Sequence, residues 1–329
     1  MARHAWTVKK IPECLGRAPF TLGQAAELGL TPRVLEGPRF RSPLSGVRTL
    51  RDTPDTVRTR CLAASLVLPE EAVFSHDTAI HLGGWLSPRV GDGASRYTPR
   101  EPAPGTPLHV TVPRGMPRPQ RRGVIAHRSD LERGDVMEVA GLRITSPWRS
   151  WGDLATDGSE EDLVILADAL RRRFGDGASQ LAMKVEVSAG RRGAQTLRRA
   201  LSRSRDEVDS PMETRLRLLF EDAGLPQPVV NGWVRREDGF PVHKPDLSWP
   251  EWKVAADYDG VHHADQDDDE DVRRGRASDW RRRQDRSRRD LLEEVGWILR
   301  IFTAFDVFSA PGPAIERMRT ALSLAGAPV

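Results

Sequence analysis

Apolar residues along this chain change period several times, and each change marks a predicted element. Between Thr21 and Leu28 the apolar Leu22, Ala25, Ala26 and Leu28 fall on helical spacing, and Gly29 stops the run. Thr31-Pro32 then offers an N-cap and first-turn proline for a second short helix. Pro38 and Pro43 close it, and Val47 to Leu50 reads as a strand after the Ser45-Gly46 turn, a helix-turn-helix with a wing. Thr56 to Leu68 and Val73 to Leu82 read as helices, the second ended by Gly83-Gly84. The stretch from Ser87 to Pro107, rich in Gly, Pro and Arg, reads as a loop. Leu108 to Pro113 (LHVTVP) alternates like a strand, and Val124 to His127 and Leu142 to Thr145 supply two more. Pro147 opens a helix from Trp148 to Ala155, and an amphipathic helix covers Glu160 to Phe174.

From Ser188 to Pro211 large apolar residues give way to Arg, Ser and Gly, which marks a domain boundary, with Gly193 to Ser202 able to form a docked helical arm. Ser210-Pro211 then caps a helix whose Met212, Leu216, Leu219, Phe220 and Ala223 share a face. Val229 to Arg235 reads as a strand, Glu237-Asp238-Gly239 as a turn, and residues 241 to 260 as a hairpin closed at Pro250-Glu251. In it Leu247, Trp249, Trp252, Val254 and Tyr258 suit half-buried strand positions. Arg281 to Val295 reads as a helix, and Trp297 to Phe302 as a buried strand after Gly296. The expected fold class is therefore α/β (α+β). A winged-helix-like domain covers 1–52, an α/β domain 53–187, a linker 188–209, and a domain of order αβββαβ 210–329.

Composition adds less than position does. A chain of 329 residues with 38% apolar content has room for two or three domains. Fifty Lys and Arg against 47 Asp and Glu leave a net charge of only +3, but arginine, whose planar fork suits phosphate, supplies most of the positive charge. Cys14 and Cys61 are the only cysteines, without a CxxC pair, which argues against a disulfide framework or a structural zinc site and fits a reducing, cytoplasmic setting. The start MARHAWTVKK has no apolar core, and no run approaches the ~18 apolar residues of a membrane span, so no membrane partner is expected. His76 and His81, five apart, do not share a helical face as ligands would and read as packing histidines.

The chemistry concentrates near the hairpin. Pro245-Asp246 ends one apolar run, and Asp257 and Asp259 stand two apart on the next, so they share a strand face that pairing can bring beside Asp246. Carboxylates that crowd one spot need a shared proton or a cation, and a hard divalent ion, Mg²⁺ or Mn²⁺, suits oxygen ligands. A solvated hairpin edge is the competing reading. Glu213, in the first turn of its helix, is favoured there by the helix dipole and can also complete a metal shell. After Gly260, His262 or His263 can orient or deprotonate an attacking water. Asp246 and Asp257 with Glu213 as metal ligands permit metal-assisted phosphodiester hydrolysis. For DNA, Arg33, Arg39 and Arg41 of the helix-turn-helix are candidate contacts. So are Arg281, Arg282, Arg288 and Arg289, within a segment from Arg273 to Arg289 that holds nine arginines in seventeen residues. An acidic run from Asp265 to Asp271 precedes it, with six acidic residues in seven; a disordered loop and a screen for the basic segment are both open readings.

Glu213, Pro245-Asp246 and Asp257-Tyr258-Asp259-Gly260, in an order of helix, three strands, helix and strand, resemble the core of the PD-(D/E)XK nuclease superfamily. With His263, Asp285, Arg288, Leu292 and Gly296-Trp297 added, residues 210 to 308 look like the very-short-patch-repair-like (Vsr-like) endonuclease domain of bacterial proteins. That resemblance implies a restriction-endonuclease-like fold and Mg²⁺-dependent cleavage of DNA, with Glu213, Asp246, Asp257, Asp259 and His263 as catalytic residues. Two departures stand out: Asp257 occupies a position usually held by glutamate, and the superfamily's motif lysine is absent, with Asp259 in its place. In the other half, SHDTAIHLGGW (75 to 85), LHVTVPRG (108 to 115), AHRSDL (126 to 131) and GLRITSPWRSWGDLA (141 to 155) resemble AbiEi-type antitoxins and regulators over roughly 15 to 185. This implies a winged helix followed by an α/β domain, operator DNA as a partner, and a cognate toxin or defence-system protein as another. The expectation is a DNA endonuclease with an amino-terminal targeting or regulatory domain. The rival is a non-catalytic DNA-binding transcriptional regulator or antitoxin with a degenerate nuclease-like domain.

Overall fold

A computed structural model describes residues 12, 15–16, 18–85, 105–259 and 288–329. Cys14, Gly260, His262, His263, Arg281, Arg282, Asp285, the acidic run 265–271 and most of the arginine segment lie outside the described residues. The described elements mix helices and sheets, an α/β or α+β arrangement, and the chain divides into two compact units, the second taking Trp85 and everything from Leu154 onward.

The first unit begins with β1 (Phe20–Thr21), α1 (Leu22–Glu27), α2 (Pro32–Leu35), β2 (Phe40–Arg41) and β3 (Val47–Leu50). The Thr21 hydroxyl accepts from Gln24 N–H and the Gln24 side chain accepts from Thr21 N–H, a reciprocal cap that starts α1. The strands form an antiparallel sheet in the order β1-β3-β2, and Phe20, Ala25, Leu30, Leu35 and Phe40 close a small core beneath it. The unit continues through α3 (Val57–Ser65), β4 (Val73–Phe74), α4 (His76–Gly83), β5 (Leu108–Val112), β6 (Val124–Arg128), β7 (Val136–Val139), β8 (Leu142–Thr145) and α5 (Pro147–Asp153). Its five-stranded sheet runs β6-β5-β4-β8-β7. The helix expected from Val73 is corrected here. Val73 and Phe74 are a strand, paired with Thr111 and Val110, and the helix starts only at His76 because two apolar residues at the centre of a sheet gain more from both neighbours than from one helical turn. The buried Arg149 of α5 bonds Asp153 at 2.7 Å and Asp135 at 2.8 Å, tying the helix to the start of β7.

The second unit carries α6 (Glu160–Arg173), α7 (Gly177–Val187), α8 (Ala194–Arg203) and α9 (Pro211–Asp222), then β9 (Val229–Val230), β10 (Val234–Arg235), β11 (Pro241–His243), β12 (Leu247–Trp249) and β13 (Val254–Asp259). A helix, α10, is described over 288–293, and β14 (Ile298–Thr303), α11 (Ala304–Phe308) and α12 (Pro311–Leu324) complete the chain. The main sheet runs β14-β13-β12-β9, with β13 and β14 parallel and the other pairs antiparallel. One face buries Leu247, Trp249, Val254, Ala256 and Phe302 against α9 and α12; the other packs Ala255 and Leu299 against Leu292 of α10 and Val234. Residues on successive positions of β13 thus serve opposite layers, as its uninterrupted apolar start requires.

Three boundaries differ from expectation. Val229 to Arg235 is not one strand: Asn231 sits at φ 49°, and the chain turns there so that β10 pairs with β11 in a separate two-stranded sheet. Trp252 lies in a 3₁₀ turn, not in a strand. The segment 188–209 is not a linker between units, since α6, α7 and α8 belong with the carboxy-terminal elements. The cause is a buried network. Asp168 of α6 accepts from Arg217 Nη2 (2.8 Å) and Thr214 Oγ1 (2.8 Å) of α9 and from Arg205 N–H (2.6 Å) after α8. Arg217 also donates to the Arg203 carbonyl at 2.8 Å and to Glu221 at 3.0 Å. Gly193, at φ 85°, caps α8 so close to Ala155 that a Cβ would lie 2.6 Å from its carbonyl oxygen.

Because Asp168 and Arg217 are both buried, removing one partner leaves the other charge stranded. We predict that Arg217→Met destabilises the second unit by about 3–5 kcal/mol, and that adding Asp168→Leu recovers much of the loss. Denaturant unfolding measures both; a double variant no more stable than the single would contradict this account.

Candidate functional site

The antiparallel register of β12 and β13 pairs Leu247 with Ala256, so Asp246, one residue earlier, comes opposite Asp257. Asp246 N–H donates to Asp257 Oδ1 at 3.2 Å, and Tyr258 N–H donates to Asp246 Oδ2 at 2.6 Å. On the other oxygen of Asp257, Oδ2, converge His243 Nε2 of β11 at 2.8 Å and Arg288 Nη1 of α10 at 3.7 Å. Glu213 reaches the same neighbourhood from α9. Its backbone N–H is capped by the Ser210 hydroxyl at 3.2 Å, while its side chain, 6% exposed, accepts through Oε2 from Asp209 N–H at 2.9 Å and from Asn231 Nδ2 at 2.8 Å. Asn231 joins the parts: its N–H donates to the Asp246 carbonyl at 3.0 Å and its Nδ2 also to the Glu207 carbonyl at 2.7 Å.

Electrostatics link the three carboxylates. Burial, then the charge of Glu213, then that of Asp257 push the Asp246 carboxyl up to about 8, with the Tyr258 N–H opposing. Burial also raises Glu213, against the bonds from Asp209, Asn231 and Ser210. Burial and the two neighbouring carboxylates outweigh the Arg288 guanidinium, which lies near Asp257 and acts in the opposite direction. The donor set is all oxygen, which fits a hard divalent ion chemically. The oxygens of Glu213, Asp246 and Asp257 do not, however, all come within 4.8 Å of one another. A magnesium ion would therefore be held through one or two carboxylates, Asp246 foremost, with water completing the shell, as is common for this ion.

Asp259 is half-buried at the end of β13, opposite Thr303, on the same face as Asp257. Lys244 lies 3.6 Å from Asp209, beside the residue that donates to Glu213. In the first unit Arg33 is exposed, and Arg39 is half-buried with its guanidinium 5.9 Å from the centre of the Phe40 ring. Arg41, expected to face a duplex, instead bonds Asp55 at 2.9 Å and the carbonyls of Thr53 and Pro54 at 3.0 and 3.1 Å, because the turn after β3 brings three acceptors to its fork. Arg289 is exposed on α10.

Two site residues escaped the sequence reading. His243 stands two residues before Pro245, in a strand too short for alternation to orient it, and Asn231 sits inside an apparent strand. The signal for Asn231 was its residue type, which tolerates a left-handed backbone. A third group lies elsewhere: among the described residues, the set of three histidine or acidic side chains whose ligand atoms all fall within 4.8 Å of one another is His76, His109 and His127. His76 is buried, hydrogen-bonded to Ser75 and stacked on His127, and it is also one member of this set.

No protein-family model matches the chain. It is 26% identical over 219 residues to an uncharacterized protein of Mycobacterium tuberculosis, Rv2248 of strain ATCC 25618 / H37Rv, and equally to MT2308 of strain CDC 1551 / Oshkosh; the match covers 64% of this chain and 72% of each relative. Among the described residues, no helix is long and apolar enough to cross a membrane.

The raised Asp246 carboxyl yields a signed prediction. A pKa of about 8 in the fold against 3.8 for an ordinary aspartate means that the folded chain binds this proton more tightly, so the stability that Asp246 contributes is complete below pH ~4 and is lost as pH rises through about 8. Asp246→Asn should therefore grow more stable relative to the parent between pH ~4 and ~8, with a level difference above, and Mg²⁺ at alkaline pH should narrow that gap. Thermal unfolding across pH checks this, and a difference that does not widen with pH contradicts it.

Proposed function

We propose that the second unit is a Mg²⁺-dependent DNA endonuclease, with Mn²⁺ as a substitute, and that the first unit targets it to DNA or regulates it. The observation that carries this reading is the meeting of Asp246 and Asp257 across the β12–β13 pair, with Glu213 reaching the same neighbourhood from α9, where burial and the flanking charges raise the Asp246 carboxyl. The Vsr-like resemblance of residues 210 to 308 points the same way. In this reading Asp246 is the main ligand, Glu213 or Asp257 adds a second, and Asn231 holds Glu213 in place. The bound ion supplies Lewis acidity and lowers the pKa of the attacking water. His243 orients Asp257, and Arg288 and Arg289 of α10 attract the phosphate backbone, with Arg33 and Arg39 contributing DNA contacts in the first unit. The AbiEi-like segments favour a cytoplasmic role in phage defence or a toxin–antitoxin pair, with a cognate toxin as a second partner.

One observation favours a rival, a non-catalytic DNA-binding regulator: both Asp257 oxygens already accept hydrogen bonds, from His243 and the Asp246 N–H, with Arg288 nearby. Incubating plasmid DNA with the protein and Mg²⁺ or Mn²⁺ separates the two. The endonuclease nicks it, and Asp246→Ala lowers the rate by at least about 10²-fold. Intact plasmid together with salt-sensitive gel retardation overturns the enzyme reading and leaves the regulator.

A further inference from the structure

Three imidazoles meet in the first unit. The parallel pairing of β5 and β6 places Thr111 opposite His127 and His109 opposite Ile125, so His109, Thr111 and His127 share one sheet face. The Ser75 N–H donates to the His109 carbonyl at 3.0 Å and brings His76, the first residue of α4, over that face. His76 is buried and has φ 53°, a backbone region that a non-glycine residue holds only where its surroundings fix it.

The nitrogens are arranged for more than packing. His109 Nδ1 lies 3.1 Å from His127 Nε2, close to the roughly 3.3 Å edge of a tetrahedron whose nitrogens are about 2.0–2.1 Å from zinc. His76 stacks on His127 with ring centres 3.8 Å apart and planes 19° apart. Its Nδ1 lies 2.9 Å from Ser75 Oγ, which accepts from Thr111 Oγ1 at 2.8 Å. When Nδ1–H donates to Ser75, the unprotonated nitrogen of His76 is Nε2; metal-bound imidazoles are commonly fixed by such an outer hydrogen bond.

We propose that His76, His109 and His127 bind one borderline divalent transition ion, with zinc as the reference, leaving the remaining position to water or a ligand. His109 and His127 supply two donors with an opening of a few tenths of an ångström, and His76 supplies the third from a ring nitrogen that small shifts of the three rings bring onto the ion, since one ligand atom of each lies within 4.8 Å of the others. Three neutral nitrogens select zinc, nickel or copper over magnesium. The alternative is an imidazole–imidazole hydrogen bond without an ion.

The test uses the full chain, stripped with chelator and carrying Asp246→Asn so that the acidic cluster does not compete. Titration with Zn²⁺ should show one saturable equivalent, and Co²⁺ should give a visible absorption band of nitrogen ligation. His109→Asn and His127→Gln should each weaken binding by at least about tenfold, whereas His81→Ala should leave it unchanged. No saturable Zn²⁺ binding, or binding undiminished in the His109→Asn/His127→Gln double variant, overturns the proposal. Should those variants fail to fold, the Co²⁺ spectrum decides alone: its absence from the otherwise unaltered chain overturns it as well.

Discussion

The ion pair between Asp168 and Arg217, with side chains 1% and 0% exposed, determines where the acidic site can form. It holds α9 against α6, and the first turn of α9 carries Glu213. Burial dominates the state of Asp168, lifting its carboxyl to about 6 despite Arg217 and three hydrogen bonds, so the pair is still ionised at neutral pH. A charge pair this deep adds little net stability, because desolvation consumes most of the attraction. What it supplies is position. A carboxylate with several fixed donors tolerates one arrangement of the surrounding helices, and that arrangement sets the distance from Glu213 to the hairpin.

Within that frame the hairpin does the local work. Asp246 and Asp257 face each other because one extra residue precedes the last β12–β13 pair, and the chain's turn at Asn231 lets a single side chain hold Glu213 while its backbone holds Asp246. The result is a group of like charges kept together by backbone N–H donors, the Asn231 amide, the His243 imidazole and the nearby Arg288 guanidinium. Such a group is unfavourable without these donors, and its electrostatic cost appears as the raised Asp246 and Glu213 carboxyls.

Much of this was legible in the sequence, for physical reasons. Period-two alternation put Asp257 and Asp259 on one face, the proline at 250 marked the turn, and Ser210-Pro211 announced the helix bearing Glu213. What could not be read depends on contacts between distant segments. Asp168 and Arg217 stand 49 residues apart, so the composition change after Ser188 resembled a linker when the helices on either side are in fact cross-bonded. Val73-Phe74 looked helical because two residues are too few for a period. His243 and Asn231 sit in short, irregular backbone where no periodicity orients a side chain. The histidine cluster draws on three segments, none of which carries a ligand spacing by itself.

The parallel pairing of β13 with β14 has a different kind of consequence. Parallel neighbours cannot be joined by a tight turn, so the chain must leave Asp259 and travel back before Ile298. Lengthening such an excursion costs entropy that rises only with the logarithm of its length. The connection between these two strands can therefore vary in length at small entropic cost while the β13–β14 register stays the same.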